Sequence, residues 1–459
     1  MPFSRKPNQF VACLLVSLFV FGCGNGPDSR NIDTPLPEAL YHSEVEAAKE
    51  SSLTPEGRLE GLKRLARLYH ANGYQSKAID VYRELCELDP RNPVWPHSLA
   101  NLLAGYGRLQ EALPLQAKAV ELAPNERAPR LRLAEMRLKN NQVDQAEEIL
   151  QSILESDPNE KYALLGLARC DVAKENWASA RGRLENAVSI DPNFTGAWAL
   201  LSTALEKLGV DQLAEIARVK SFGRYVDFPD PWLNDLWKDC FDPYQLSVAA
   251  AVTTDRELSK SLLEKAISLS PSSGAYHRQL GNIHLQEGEM LEAKKRFEIA
   301  VEADPKDAES WSSLVNVLMQ LDDYKALSLA LDTALPLCPN SAYLHYMNGR
   351  RYAMVGLYQQ AQREFEESKR IQPHEGRSYV QLAMISLMQG NLLEAKREAE
   401  AAMMREPSNP DIYVVLAKAS IMAKRRAEAR LWISKLMELP NHSPEDLRIL
   451  KENFEQAFR

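Results

Sequence analysis

Residues 76–90 read SKAIDVYRELCELDP. An apolar face at helical spacing carries Ala78 and Tyr82, and Pro90 closes it. A proline cannot extend a helix and biases its predecessor away from helical angles. The closing tetrapeptide, ELDP at 87–90, returns as ELAP at 121–124, ESDP at 155–158 and SIDP at 189–192. Pro90, Pro124, Pro158 and Pro192 therefore stand at one constant interval. A second series, Pro271, Pro305, Pro339, Pro373 and Pro407, keeps the same interval. Between Pro192 and Pro271 the chain runs through two such periods and part of a third, so the second series is out of phase with the first. A fixed period of this size marks a repeat architecture.

Other columns travel with the prolines. Three helical turns before them stand Ala78, Ala112, Ala146, Ala180, Ala293, Ala361 and Ala395, followed one turn later by Tyr82, Leu150, Leu184, Phe297 or Phe365. Further upstream a leucine precedes a small residue: Leu65-Ala66, Leu99-Ala100, Leu133-Ala134, Leu167-Ala168, Leu280-Gly281, Leu382-Ala383, Leu416-Ala417. Trp198 and Trp311 each precede that leucine position by three. Each period holds two apolar stretches of helical periodicity, which reads as a helix pair. Small residues let the two helices approach, and one pair buries too little surface to stand alone, so neighbours stack.

These columns resemble the tetratricopeptide repeat, W-x2-L-G-x2-Y…A-x3-F…P. Eleven copies cover about residues 59–441. Those at 195–226 and 240–273 are degenerate, and in the last the proline has moved one place, to Pro440. The resemblance implies an all-α, right-handed α-solenoid of stacked helix-turn-helix repeats. The tail SPEDLRILKENFEQAF reads as an amphipathic capping helix with Ser443 as its N-cap. The expected organisation is a signal peptide at 1–22, a lipid-anchored linker with a short helix at 23–58, and about five repeats at 59–226. A Trp-containing insertion at 227–239, about six repeats at 240–442 and the cap at 443–459 complete it.

The N-terminus has its own chemistry. Arg5 and Lys6 precede an apolar run, Phe10–Phe21, and then GCGNGPDS, the layout of a secretory signal. That run is short for a bilayer span, which needs about 20 residues. Gly22-Cys23 resembles the lipobox of bacterial lipoproteins, with Val20 and Gly22 fitting it and Phe21 departing from it. That resemblance implies cleavage before Cys23, lipid on its thiol, and a net charge moving from −8 to −10 as Arg5 and Lys6 leave. Gly24 lacks the aspartate that would signal inner-membrane retention. The expected address is a membrane facing the periplasm, the outer membrane favoured, with a signal-anchored or secreted chain as the alternative.

The remaining cysteines, Cys86, Cys170, Cys240 and Cys338, show no CxxC and no metal spacing and read as buried free thiols. No GxSxG, HExxH, Walker A or GxGxxG stretch is present, so no catalytic residue, cofactor or metal is expected. His277 and His345 occupy the tryptophan column and read as packing residues. The mildly acidic balance argues against a nucleic-acid partner, and no small-molecule substrate is evident.

The insertion VDFPDPWLNDLWKDCFDP, 226–243, sets Trp232 and Trp237 among acids and prolines. It reads either as a spur packed against the groove or the outer wall, joining the two blocks, or as an exposed docking element. By the resemblance, the first helix of each repeat lines the inner face. Two residues after the leucine position stand Arg67, Asn101, Arg169, Asn282, Asn316, Arg350 and Lys418, side chains able to bond a peptide backbone or a carboxylate. Met354, Met388 and Met422 recur at the period of the prolines and offer an adaptable apolar lining. The candidate groove is Arg278, Asn282, Asn316, Arg350, Met354 and Met388, for an extended or C-terminal peptide. The expected function is a non-catalytic protein-binding scaffold of the bacterial envelope. The alternatives are a substrate-recruiting subunit of an envelope enzyme or an assembly factor for an outer-membrane or appendage complex.

Overall fold

The computed structural model describes residues 36–222, 228–253, 255–439 and 441–458. Cys23, the expected signal segment and Pro440 lie outside the described residues. Within them the chain is helical and contains no strand. Eleven helix pairs follow one another, from Arg58–Ala71 with Gln75–Leu88 to Pro410–Met422 with Arg426–Glu438. The helix Leu36–Ser52 precedes them and Pro444–Ala457 follows. The last helix begins where the sequence places it, with the Ser443 hydroxyl accepting from the Asp446 amide at 3.2 Å.

The chain divides into two compact units, one ending at Ser270 and one beginning at Pro271. The pair Pro243–Val252 and Arg256–Leu269 thus groups with the first unit, whereas the sequence reading sets it in the second block. The insertion is its immediate neighbour and ties to it: the Lys265 ammonium donates to the backbone oxygens of Trp237 and Lys238 at 3.3 and 2.5 Å.

The alanine column is fully enclosed in the pairs that carry it. Ala78, Ala112, Ala146, Ala180, Ala293, Ala361 and Ala395 expose none of their surface, and Tyr82, Leu184, Phe297 and Phe365 are equally enclosed. The small residue after the leucine is sized to its partner. A Cβ on Gly281 would lie 2.6 Å from the Phe297 ring, and one on Gly349 would lie 2.6 Å from Phe365. Core packing at near-crystalline density leaves no slack for that methyl group.

The proline column has a second role besides ending the helix. Its carbonyl accepts a hydrogen bond from the aromatic column of the next pair. Trp198 and Trp311 donate to the oxygens of Pro192 and Pro305 at 2.8 and 2.9 Å. Tyr379 and Tyr413 donate to those of Pro373 and Pro407 at 3.1 and 2.6 Å. His277 and His345 do the same through Nε2 to Pro271 and Pro339, at 3.3 and 3.0 Å. A carbonyl at a helix end has lost its intrahelical partner, and an aromatic N–H or O–H from the next repeat supplies one. Both histidines therefore hold structural positions.

Candidate functional site

The sequence column two residues after the leucine can be followed through both units. In the first unit it is engaged by the insertion. Residues 228–241 run across the first helices of successive pairs, from the fourth and third back to the first. The Phe228 ring lies under the Arg132 guanidinium, 4.3 Å from its carbon, and 6.0 Å from the Tyr162 ring. Only about 30 Å³ remains open between Phe228, Glu135, Tyr162 and Arg169, room for a water or two.

Asp230 comes next and is buried. Its Oδ2 lies 2.9 Å from Nε2 of His97, which is wholly enclosed. Gln116 sets its amide nitrogen 3.0 Å from Nδ1 of His97. Burial alone would push the Asp230 carboxyl up. The hydrogen bond and charge of His97, aided by Arg132 and the Leu233 amide, outweigh it and hold the carboxyl below the usual range. Trp232 stands edge-on to His97, with ring centres 5.2 Å apart.

The acidic end of the segment is held by two arginines. Arg67 donates to the Asp235 carboxylate at 2.7 Å, to the Asp235 backbone oxygen at 2.9 Å, and to Asp239. Arg64 donates to Asp239 and, at 2.9 Å, to Glu44. Asn72 grips the main chain on both sides: its amide donates to the Asp239 oxygen at 2.8 Å, and its oxygen accepts from the Phe241 amide at 2.6 Å. The Lys238 ammonium, joined by Arg67 and opposed by burial, holds Asp235 below the usual carboxylate range.

The other members of the column in this unit are also occupied. Asn101 donates to the His97 backbone oxygen at 2.9 Å. In the third pair Glu135 takes the position, ion-paired to Arg132 at 2.8 Å and Lys139 at 3.1 Å. Burial raises its carboxyl, and the charges of Arg132 and Lys139 more than reverse this, to about 2.

The second unit presents the same column without such an occupant. Among the described residues, Asn282, Asn316, Arg350 and Lys418 are half-buried or partly exposed and form no hydrogen bond or ion pair. Arg278 is different: its guanidinium is drawn to Asp307 at 3.3 Å and Glu309 at 2.6 Å. Arg350 lies instead beside Tyr343 and Tyr346, whose rings are 6.5 Å apart. Burial raises both phenols, and Arg350 and Arg377 pull each of them back. Met354 and Met388 end their helices and are 54% and 63% exposed.

The sequence singled out Arg350 and missed Tyr343, Tyr346 and Arg377 around it. It also missed Arg64, His97 and Asn72, although the five aspartates of residues 226–243 are a signal for basic partners elsewhere. The described cysteines are free, and Cys170, Cys240 and Cys338 are buried. His284, Glu287 and Glu289 cluster closely enough for a cation, but His284 is already bound to Glu289 at 2.6 Å.

A row of helix pairs capped through its prolines and closed by its alanines defines a tetratricopeptide-repeat protein. Models described as tetratricopeptide repeat match residues 63–92, 103–170, 278–342 and 386–451, and the chain belongs to that family. Its fold is that of a protein–protein interaction scaffold. No curated protein matches it. Among solved structures it is similar to yeast Tom70, with a TM-score of 0.37 and 15% identity over 88% of this chain and 96% of that one. The Cut9–Hcn1 heterotetramer of APC/C gives 0.38 and 14% over 90% and 92%. MamA from Desulfovibrio magneticus RS-1 gives 0.34 and 18% over 36% and 92%.

Proposed function

We propose that this chain is a non-catalytic scaffold of the bacterial cell envelope, anchored by lipid on Cys23, and that its second unit captures a protein segment. One observation carries the capture: the second-unit column Asn282, Asn316, Arg350 and Lys418 has no hydrogen-bond partner among the described residues. Asparagines bond a peptide backbone in both senses, and Arg350 meets a side-chain or C-terminal carboxylate. Tyr343 and Tyr346 supply flat, half-buried walls beside that charge, the residue types that dominate interface energetics. Met354 and Met388 offer a soft apolar contact at the edge.

The address rests on Phe10–Phe21 and Gly22-Cys23. Two or three acyl chains hold a protein stably, whereas one gives marginal binding. The test is crosslinking in intact cells with mass spectrometry of the captured chains, run on the parent, Arg350→Glu and Cys23→Ser. Arg350→Glu is expected to lose the main crosslink while remaining in the membrane fraction. Cys23→Ser is expected to lose incorporated fatty acid and accumulate as precursor. Equal fatty-acid labelling of Cys23→Ser and parent refutes the anchor; an unchanged crosslink pattern in Arg350→Glu refutes the capture site.

A further inference from the structure

The segment 228–241 meets the first unit as a ligand meets a host. Its side chains are read by charge at Arg64 and Arg67, its main chain by Arg67 and Asn72, and its tryptophan by the face of His97. The segment folds as two short helical turns, Pro231–Asn234 and Asp235–Asp239, and charge-assisted bonds to aspartate together with bonds to the backbone are how an acidic peptide is recognised. Phe228 and Phe241 of the segment pack against the margin of the host's core. The enclosed columns of the first four pairs, Ala78 with Tyr82 and Ala180 with Leu184 among them, come from the repeats themselves. The second unit shows that such a row of helices forms with its polar column unpartnered.

We propose that residues 228–241 are an internal ligand that keeps the first-unit groove closed. In their place the groove takes an acidic peptide carrying a tryptophan and two aspartates one helical turn apart. Joined to the host in one chain, the segment acts at an effective concentration on the order of millimolar. An outside peptide of equal contact quality therefore competes poorly until the segment is weakened. This inference concerns the first unit and stands or falls apart from the capture site around Arg350.

The test uses the full chain and a fluorescein-labelled synthetic peptide of residues 228–241, with binding read by anisotropy. In one variant a Gly/Ser stretch of equal length replaces 228–239. A second variant, Asp235→Lys with Asp239→Lys, keeps the aromatic contacts and turns the charges against Arg64 and Arg67. The replaced chain is expected to bind the peptide at least tenfold more tightly than the parent, and the lysine variant to fall between them. A peptide carrying Asp235→Asn and Asp239→Asn is expected to lose at least tenfold on the replaced chain. Equal binding by parent and replaced chain overturns the proposal. So does a replaced chain that keeps its helical signal and binds nothing. A replaced chain that loses its helical signal shows the segment to be core, which also overturns it. A parent that forms a concentration-dependent dimer by light scattering places a second copy's segment in the groove and overturns the internal reading.

Discussion

The two units place the same residue types in the same repeat position and use them differently. Arg67 reaches three acceptors in the segment that crosses its row, and Arg64 beside it donates to the other carboxylate oxygen of Asp239. Arg350 has none among the described residues and lies beside two tyrosines. A guanidinium that still reaches solvent costs little to leave unpaired, whereas a buried carboxylate such as Asp239 must be paired. The filled row has therefore committed its charges to its own chain, and the open row keeps them in contact with solvent. A repeat position consequently does not carry a function by itself; what crosses the row decides it.

The sharpest way to break this contrast is to remove one half of the buried pair in the filled row. Asp230→Ala leaves His97 enclosed with one face unsatisfied. Removing one partner of such a pair costs about 3–5 kcal/mol while the site stays shut. Release of the segment caps the loss at its own attachment energy, and peptide binding then appears. Chemical denaturation, followed by hydrogen exchange in each unit, is expected to show the first unit weakened and the second unchanged. Equal weakening of both units contradicts the assignment.

The repeat was legible because it is local and periodic: Ala78 and Ala361 are enclosed for the same reason at the same phase. The capping of Pro192 by Trp198 spans less than two helical turns of sequence, within reach of a column argument. The His97–Asp230 pair spans 133 residues and Arg67–Asp235 spans 168. No period links such positions, and the insertion is the stretch that breaks phase. The sequence offers Trp232 as a joint or a docking element; it packs on His97 within the first unit. Arg278 looked as available as Arg350, because its pairing with Glu309 depends on how the next helix begins.

Acid should separate the units as well. Burial, reinforced by the charge of His97, lowers His70 to about 4. The unfolded chain takes up that proton near pH 6.5, so stability is full above 6.5 and falls as pH drops toward 4, by at most about 3 kcal/mol. In the second unit burial lowers His345, but the bond and charge of Glu364 win and its pKa is raised. Its contribution is present below the unfolded value and is lost as pH rises through the folded one. His277, lowered by burial, opposes it there. Denaturation midpoints between pH 7 and 4.5 are expected to fall for the first unit, and His70→Gln to flatten that fall. His345→Gln should leave the first unit's slope unchanged.

In the open row, Arg350→Ala is expected to weaken partner capture by tenfold to a hundredfold, the range of a charge-assisted bond of about 1.5–3 kcal/mol. Stability of the second unit should move by less than about 0.5 kcal/mol, because the side chain binds nothing in its own chain. Arg278→Ala should weaken capture less, since Asp307 and Glu309 already hold it. Arg67→Ala should do the reverse of Arg350→Ala: it strips Asp239 of a partner, destabilising the first unit while leaving the capture intact. A crosslinking yield that falls for Arg67→Ala and holds for Arg350→Ala exchanges the roles of the two rows.

The smallest effect distinguishes the units at their tight turns. Most pairs turn through one residue in left-handed conformation, glycine at Gly73 and Gly356 but glutamate at Glu175 (φ 58°) and lysine at Lys424 (φ 56°). A side chain there costs roughly 1–2 kcal/mol, and glycine relieves it at an entropic cost of about 0.5–1 kcal/mol in the unfolded chain. The flanking chemistry then decides the sign. Glu175 puts a negative charge at a helix C-terminus, where the dipole disfavours it, so Glu175→Gly gains on both counts. Lys424 carries the favoured sign, and its ammonium donates to the Ala457 oxygen at 3.0 Å, tying the capping helix to the last pair. Glu175→Gly is therefore expected to stabilise the first unit by about 1 kcal/mol. Lys424→Gly loses its contact as it relieves its strain, so the second unit should stay within about 0.5 kcal/mol of the parent. A gain of equal size at both turns would show that backbone strain alone sets the outcome and that the Lys424 contact contributes nothing.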